Sequence, residues 1–253
     1  MRIIVAGGAG NLGSRVLLGL SEQGHDAVSA SRRSGVDLTT GAGLSEVLDG
    51  ADAVVNCADD PRRGDRVTVS GTRRLAQAAA AAQVHLVHIS IVGIDAIPMS
   101  YYRRKLAAEH AIAATRGSAT VLRATQFHSL AAVLVRVLTK GPVTPTIGAM
   151  ALQPVDVDHV AERLADLAVG PRPAAYERAT DVAGPDVLSV GDLATLIRAH
   201  SGRAAPRVLR LPAIGALMSA AAAGRLVAGP GADLGGRRFV DWLAVQPTDL
   251  KGR

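Results

Sequence analysis

Aromatic residues are scarce in this 253-residue chain, which contains two Phe, one Trp and three Tyr. Modules that bind RNA or single-stranded DNA usually stack bases on aromatic side chains, so the shortage argues against a nucleic-acid partner. The 28 basic and 22 acidic residues give a net charge of +6. We therefore expect this positive charge to meet a smaller anion.

Cysteine is also nearly absent, since Cys57 stands alone. One thiol forms neither an internal disulfide nor a thiolate cage for zinc, and the opening residues MRIIVAGG enter a strand pattern without signal-peptide architecture. The longest apolar stretch, residues 211–224, contains Pro212 and stops at Arg225, short of the ~20 residues of a spanning helix. These absences predict a cytoplasmic protein without a metal site or a membrane partner.

Short apolar runs alternate with longer amphipathic runs, which is typical of a parallel sheet with crossover helices. The alternation predicts an α/β fold of the doubly wound type. The predicted strands are residues 2–6, 26–30, 52–56, 84–90 and 119–123. The predicted helices are residues 11–23, 72–83 and 100–115, with a short one after Gly43.

The periodicity changes beyond residue 140, where only two helices are predicted, one from Asp156 or Asp158 to Ala168 and one over 190–201. We expect residues 1–150 to form the nucleotide-binding core and residues 151–253 a small substrate-binding cap in the same compact unit. The first part carries 16 basic and 11 acidic residues, the second 12 and 11. The excess charge therefore predicts that the first part holds the anion.

Glycines fill the turn between the first predicted strand and the first predicted helix. Gly7, Gly10 and Gly13 form GxxGxxG, and Gly8 completes an overlapping GxGxxG. Composition alone yields roughly 0.3 chance matches to GxxGxxG, so its position at a strand-to-helix turn carries the interpretation. Without Cβ atoms, this turn lets a pyrophosphate approach the backbone amides and the helix N-terminus. We expect Asn11 and Leu12, inside the motif, to contact the nucleotide as well.

The end of the second predicted strand favours a phosphorylated nucleotide. A carboxylate there accepts hydrogen bonds from the ribose of NAD, whereas the 2′-phosphate of NADP needs arginine and hydroxyl donors. Ser31, Arg32 and Arg33 stand at this place, so we expect NADP(H) rather than NAD(H). Asp37 is expected beside the adenine. The alternative is that both arginines are ordinary solvated charges.

Tyr101 stands four residues before Lys105 in a predicted helix, which places both side chains on one face. With three tyrosines and three lysines in the chain, this spacing arises by chance only about 0.04 times. An ammonium beside the phenol lowers its pKa and helps it exchange a proton with a carbonyl or alcohol oxygen. The alternative is a surface tyrosine, with Lys105 paired to Glu109.

These motifs, taken together, resemble the short-chain dehydrogenase/reductase superfamily and, within it, the atypical NmrA-like NAD(P)-binding branch. The resemblance reaches to about residue 212. Besides the glycine turn and the Tyr101–Lys105 pair, it rests on Asn56-Cys57-Ala58, residues 88–93, 122–127 and 153–161, and Gly184-Pro185.

The resemblance implies a Rossmann-type sheet with NAD(P) across its carboxyl edge and a variable C-terminal substrate region. It implies catalytic roles for Tyr101, Lys105 and Ser90, where Ser90 either orients the substrate oxygen or only lines the nicotinamide. Lys105 would also hold the ribose. Further nucleotide contacts are implied for Cys57, Ala58, Ser90, Thr125 and Gln126.

The remaining polar clusters are expected to be structural. Asp156, Asp158 and His159 are interpreted as a helix cap rather than metal ligands, and His128 as a structural histidine. The arginine groups are interpreted as solvated faces, because the chain has 25 Arg and only three Lys. These groups are Arg62-Arg63-Arg66, Arg73-Arg74 and Arg103-Arg104.

The sequence thus predicts an NADPH-dependent reductase of a small carbonyl, enone or quinone, with Tyr101 as proton donor and Lys105 as its activator. An isomerase or epimerase on the same fold stays open, as does a regulatory protein that binds NADP(H) without turnover. The expected partner is a small-molecule substrate, and a homo-oligomer is left open.

Overall fold

The computed structural model describes residues 1–60 and 65–248, which divide into two compact units. Among the described residues, unit 1 comprises 1–60, 65–94, 99–123 and 160–180, and unit 2 comprises 95–98, 124–159 and 181–248. The described strands are β1 Arg2–Ala6, β2 Asp26–Ala30, β3 Ala53–Asn56, β4 His85–Ile91, β5 Ala119–Ala124, β6 Val143–Ile147, β7 Ala151–Leu152, β8 Tyr176–Arg178, β9 Val182–Ala183, β10 Leu188–Ser189, β11 Arg207–Leu211 and β12 Asp233–Leu234. The described α-helices are α1 Asn11–Glu22, α2 Leu44–Leu48, α3 Thr72–Ala81, α4 Ser100–Ala113, α5 His128–Leu138, α6 Val157–Val169, α7 Val190–His200, α8 Ala216–Ala222 and α9 Phe239–Ala244.

Unit 1 is built on a sheet with the strand order β2-β1-β3-β4-β5. The chain runs from β1 outward to β2 and then returns to the other side of β1 to add β3, and both of these pairings are parallel. β3 and β4 are parallel too, and β8 pairs in parallel with the start of β5. The order therefore reverses between β1 and β3, which is the switch point where doubly wound sheets bind ligands.

The central strands of unit 1 are buried along their length, because crossover helices cover both faces of a parallel sheet. All four residues of β3 and all six of β5 are buried. β2, at the end of the strand order, is mostly only partly buried. This core needs β-branched and aliphatic side chains at consecutive positions, as in the run Ile3, Ile4 and Val5 of β1.

Unit 2 is an assembly of short pieces. β6 and β11 form a parallel pair, β7 and β10 an antiparallel pair, and β9 pairs in parallel with β12. Its aromatic side chains gather where the His128 ring lies 5.6 Å from Phe239 and 5.5 Å from Trp242, measured between ring centroids.

The doubly wound α/β prediction is confirmed, and the predicted elements of unit 1 match within about three residues. The division at residue 150 differs from the observed one, since residues 124–150 belong to unit 2 and 160–180 to unit 1. Residues 160–180 are part of unit 1 because β8 returns there to pair with β5. The structure also adds α5, α8, α9 and the short strands of unit 2, which the sequence pattern did not indicate.

Candidate functional site

The glycine turn of unit 1 is closely packed against its neighbours. Gly7 has φ +80°, and a Cβ on it would lie 2.8 Å from the Ala58 Cα atom. A Cβ on Gly13 would lie 2.3 Å from the Gly7 carbonyl oxygen, and one on Gly10 3.2 Å from the same atom. The motif therefore brings strand, turn and helix closer together than side chains would permit, as a nucleotide-binding turn requires.

Helix α1 begins directly after this turn, and its N-terminus is able to bind an anion. Gly10 occupies its N-cap without a side-chain hydrogen bond, and the first turn contains no acidic residue. Asn11 is exposed, while Leu12 is buried. Arg15 donates from Nη1 to the Asn11 Oδ1 atom at 2.6 Å, which places a guanidinium beside this helix N-terminus. The amides and the charge together favour a phosphate group.

The residues after β2 form a short 3₁₀ helix, Arg32–Ser34, with Ser31 at its N-cap. Ser34 and Ser31 bond each other reciprocally, so the hydroxyls stabilise the turn. The guanidinium groups of Arg32 and Arg33 are exposed and make no hydrogen bond or ion pair with the described residues. Both are therefore available to an incoming anion.

Asp37 lies a few residues further on in a loop. Its Oδ1 atom accepts hydrogen bonds from the backbone N–H and the hydroxyl of Thr39, at 2.8 and 2.7 Å. The carboxylate therefore shapes the loop that follows β2, and its expected position beside an adenine stays a prediction.

The segment after β3 lies next to the glycine turn, as expected for Cys57 and Ala58. The Cys57 N–H donates to the Ala6 carbonyl at 2.9 Å, and the Asn56 Oδ1 atom accepts from the Ala58 N–H at 3.1 Å. Burial raises the pKa of the Cys57 thiol to about 12, while the charge of Lys105 opposes this shift. The thiol is therefore neutral, which does not favour reaction as a nucleophile, and its expected contact with the nucleotide stays a prediction.

Tyr101 of α4 donates its hydroxyl hydrogen bond to the Asp59 Oδ2 atom. The other oxygen of Asp59 accepts from the Thr68 hydroxyl at 2.6 Å, so the carboxylate is held in place. Burial, followed by the charge and hydrogen bond of Asp59, raises the pKa of Tyr101 well above its usual range. Lys105 is not among the charges that shift this pKa, because Asp59 is the phenol's partner here, and the expected activation of Tyr101 by Lys105 stays a prediction.

Lys105 is almost completely buried, and its Nζ atom donates to the Ile89 carbonyl of β4 at 2.8 Å. Burial lowers the pKa of Lys105, while the charges of Asp59, Glu109 and Cys57 oppose that shift. The alternative pairing with Glu109 is not observed as a contact. Glu109 instead forms a two-point ion pair with Arg123, at 2.9 and 2.6 Å.

The carboxyl end of β4 carries two buried polar side chains without a hydrogen-bond partner. The Ser90 hydroxyl and both ring nitrogens of His88 lack one among the described residues. Burial, followed by the charge of Lys105, lowers the pKa of His88 well below its usual value, so its ring is neutral. Buried polar atoms are normally paired, and the unpaired Ser90 Oγ atom therefore suits a ligand.

Thr125 and Gln126 belong to unit 2. The Thr125 hydroxyl is buried and has no partner in the described part of the chain. The Gln126 amide nitrogen donates to the Leu226 carbonyl at 2.9 Å, and its amide oxygen accepts from the Gln153 N–H at 3.3 Å. Both ends of the Gln126 side chain therefore hold protein loops, and its expected nucleotide contact, for which the second N–H of the amide would be left, stays a prediction.

The structure assigns architectural contacts to the other polar residues of unit 2. Asp156 accepts from the Asp158 N–H at 3.1 Å as a helix cap, and both carboxylates bond Arg237. The His128 Nε2 atom lies 2.9 Å from the Arg237 carbonyl oxygen. Within residues 1–60 and 65–248, no group of three or more His, Cys, Asp or Glu is arranged to hold a metal ion. Arg62 and Arg63 lie outside the described residues.

Sequence reasoning missed Asp59, which the structure joins to Tyr101. Its position supplies a signal, since Asp59 follows Ala58 at the carboxyl end of β3, the same edge toward which α4 turns its tyrosine. A carboxylate just after a parallel strand lies at the edge of the sheet where ligands bind, so it is a candidate partner for an acid on a neighbouring element.

Comparison with known proteins supports the assignment of the fold. The family model described as "RmlD substrate binding domain" matches residues 1–92. A dTDP-4-dehydrorhamnose reductase of Mycolicibacterium smegmatis is 30% identical over 146 residues, which make up 48% of this chain and 44% of that protein. The match thus spans less than half the length of this curated relative.

Solved structures share the fold along almost the whole chain. The NADPH-dependent quinone oxidoreductase of Escherichia coli, complexed with NADPH, has a TM-score of 0.72 and 17% identity, covering 96% of this chain and 98% of that one. The dTDP-4-dehydrorhamnose reductase of Bacillus anthracis, in complex with NADP, has a TM-score of 0.64 and 15% identity, covering 95% and 92%. The Rossmann-type fold is therefore confirmed, whereas the NmrA-like branch stays a prediction.

Proposed function

We propose that the protein is an NADPH-dependent reductase of a small carbonyl, enone or quinone. The observation that carries this proposal is the bond from Lys105 Nζ to the Ile89 carbonyl. It fixes the Tyr101–Lys105 side of α4 to the end of β4, next to the unpaired Ser90 hydroxyl. The same unit contains the glycine turn, so nucleotide-binding and proton-transfer groups share one sheet.

The residues of unit 1 fit a phosphorylated dinucleotide. The turn at Gly7, Gly10 and Gly13 has no room for Cβ atoms, and α1 begins there without an acidic residue. Arg32 and Arg33 are exposed guanidiniums that suit a 2′-phosphate. Lys105 and Ser90 would hold the ribose and nicotinamide end, and Cys57 and Ala58 would line the turn. NADPH, when bound, supplies a hydride.

Tyr101 is the proton donor in this proposal. The phenol is protonated at neutral pH with or without the upward shift of its pKa, and reduction needs such an acid because the substrate oxygen gains negative charge. The phenol must exchange Asp59 for the substrate oxygen, and Ser90 would then orient that oxygen. The names of the two reductases with this fold, one acting on a quinone and one on a dehydro-sugar nucleotide, support a reductase with a small-molecule substrate.

The Tyr101→Phe variant tests the catalytic assignment. Loss of a general acid costs typically 10²- to 10⁴-fold in rate, so NADPH oxidation with a panel of carbonyls and quinones should fall by about this factor. Tyr102→Phe, at the neighbouring buried tyrosine of the same helix, is the matched control and should keep its rate. Unchanged turnover in Tyr101→Phe with normal NADPH binding would remove the proton-donor role. A wild-type chain that binds NADPH but oxidises it with no member of the panel would favour a non-catalytic NADP(H) sensor.

The Arg32→Ala variant tests the choice of nucleotide. A hydrogen bond to a charged group contributes about 1.5–3 kcal/mol, so calorimetric affinity for NADPH should fall about 10- to 100-fold while affinity for NADH stays unchanged. Arg73→Ala removes an exposed arginine of α3 and serves as the control for net charge. Equal loss of NADH and NADPH affinity, or no loss, would contradict the proposed clamp.

A further inference from the structure

Unit 2 contains an apolar arm, which we define as residues 207–219. All thirteen residues of the arm are exposed, from β11 to the middle of α8. Ile214 is 73% exposed and Leu209 52%. Val208, Leu211, Leu217 and Met218 are between 39% and 44% exposed. Large apolar side chains gathered in one exposed segment mark an interaction surface.

The arm lies within a segment of one charge sign. Residues 193–232 contain five arginines and no acidic residue. None of these arginines forms an ion pair within the described part of the chain. Asp192 precedes the segment, but its carboxylate bonds the N–H and hydroxyl of Ser189 at 3.1 and 2.7 Å. The positive charge of the segment is therefore not neutralised by these neighbours.

Basic side chains cluster where the arm begins. Arg198 donates to the Gly141 carbonyl at 2.8 Å, and the Arg207 N–H donates to the adjacent Pro142 carbonyl at 2.8 Å. A cleft of about 440 Å³ opens at the same turn, and Arg136, Arg198 and Arg203 line it. The start of the apolar arm is thus next to an arginine-lined cleft.

We propose that this surface docks the protein on a bilayer rich in anionic phospholipid. Exposed apolar side chains beside unpaired arginines are what the interface of such a bilayer accommodates, since the apolar groups enter the headgroup boundary and the arginines meet lipid phosphates. The contact is peripheral. Among the described residues, no helix is long and apolar enough to cross a membrane.

Charge complementarity favours the bilayer over a second copy of the chain. A symmetric dimer places the same patch on both sides of the interface, so arginine-rich segments without a carboxylate would face each other. An anionic surface instead attracts this charge. The sequence predicts no membrane partner, and this inference departs from it because the sequence alone does not show that residues 207–219 stay exposed after folding.

Vesicle sedimentation tests the proposal without any variant. The full chain should pellet with vesicles of phosphatidylglycerol and phosphatidylcholine, and much less with phosphatidylcholine alone. Binding should weaken at high salt, which screens the arginine contribution. Absence of binding, or equal binding to both vesicle types, would overturn the proposal.

Paired variants identify the surface. Each basic residue contributes about fivefold to binding of an anionic bilayer, so Arg207→Gln with Arg210→Gln should weaken it about 30-fold. Leu209→Ser with Leu217→Ser should also weaken binding to the bilayer, and the size of this loss should depend less on the salt concentration. The matched controls are a double variant, Arg73→Gln with Arg74→Gln, and a single variant, Leu18→Ser. The Leu18 side chain is 59% exposed on α1. Equal weakening by the controls would overturn the assignment to the arm.

Sedimentation velocity without lipid tests whether a second copy of the chain, rather than a bilayer, covers the arm. We expect the wild type and the Leu209→Ser, Leu217→Ser variant to have the same association state. A dimer that this variant dissociates would assign the arm to a second copy and overturn lipid docking. The test does not depend on the proposed reductase activity, because it measures binding alone.

Discussion

Unit 1 buries its central strands, whereas unit 2 contains a strand that is exposed along its whole length. All residues of β3 and β5 are buried, whereas all five residues of β11 are exposed. Of the sixteen exposed large apolar side chains among the described residues, thirteen belong to unit 2. A parallel sheet covered by helices leaves few apolar side chains exposed. The exposed apolar surface that could bind a partner therefore belongs mainly to unit 2.

Ion pairs repeat this contrast. In unit 1 the side chains of Arg123 and Glu109 are 4% and 3% exposed. In unit 2 the Asp156 carboxylate is 2% exposed, but its partner Arg237 is 46% exposed. A buried pair loses its hydration on both sides, whereas a half-exposed guanidinium keeps much of its own. The two pairs therefore differ in what their removal should cost.

The largest effect is expected for Glu109→Gln in unit 1. It leaves the buried Arg123 guanidinium without its countercharge, and breaking such a pair costs about 3–5 kcal/mol in free energy of unfolding. Urea denaturation at neutral pH measures the loss. Asp166→Asn, which breaks the surface pair with Arg163 at 43% and 51% exposure, is the control and should cost less than about 1 kcal/mol. Equal losses would refute the contrast.

The sequence was informative for unit 1 because its elements are long enough to show a period. In β1 the residues after Arg2 form a continuous apolar run, and α1 and α3 are amphipathic. In unit 2, β7, β9, β10 and β12 have two residues each, too few for any period. Such strands exist because tertiary contacts pair them, which no local pattern records.

The candidate site divides in the same way. The glycine turn and the Tyr101–Lys105 spacing are local features and are visible in the sequence. The bond from Tyr101 to Asp59 spans 42 residues, and the Lys105 bond is to a backbone carbonyl rather than to a side chain. Contacts of this kind depend on the packing of α4 beside β3 and β4, so spacing alone predicted the pair but not its partners.

Acid should weaken unit 1 through its buried histidines. Burial, followed by the charge of Arg172, lowers the pKa of His85 from 6.5 to about 4. The unfolded chain takes up this proton at higher pH than the folded one, so the free energy of unfolding should fall by up to about 3 kcal/mol as the pH drops between these values. Denaturation as a function of pH measures the slope.

The His85→Gln variant isolates that contribution. It removes the group that titrates and should flatten the loss of stability in acid, while the pH dependence due to His88 remains, since its pKa is lowered too. His110→Gln replaces an exposed histidine of α4 and should leave the profile as it is. An unchanged slope in His85→Gln would show that the folded and unfolded chains bind this proton equally, and so that burial does not lower the pKa of His85.

Arg237→Ala in unit 2 should cost about 2 kcal/mol, between the values for buried and surface pairs. Burial favours a raised pKa of Asp156, but hydrogen bonds from Arg237 and the Asp158 N–H outweigh it and lower the pKa. The contribution of the pair is therefore present above pH 3.8 and is lost as the pH falls further. Arg238→Ala, at the neighbouring exposed arginine, should cost less. A loss as large as that of Glu109→Gln would contradict the difference between the units.

The smallest effect is expected for Gly19→Ala in α1, and it is stabilising. A Cβ at Gly19 meets nothing within 4 Å, and alanine lowers the entropy that a helix interior loses on folding, so stability should rise by about 0.5–1 kcal/mol. Gly13→Ala, on the same helix, is the counterpart and should destabilise the protein, because its Cβ would lie 2.3 Å from the Gly7 oxygen. Thermal denaturation compares the two. A gain from both would show that the turn can open, and would weaken the case that its close packing is built to admit a pyrophosphate.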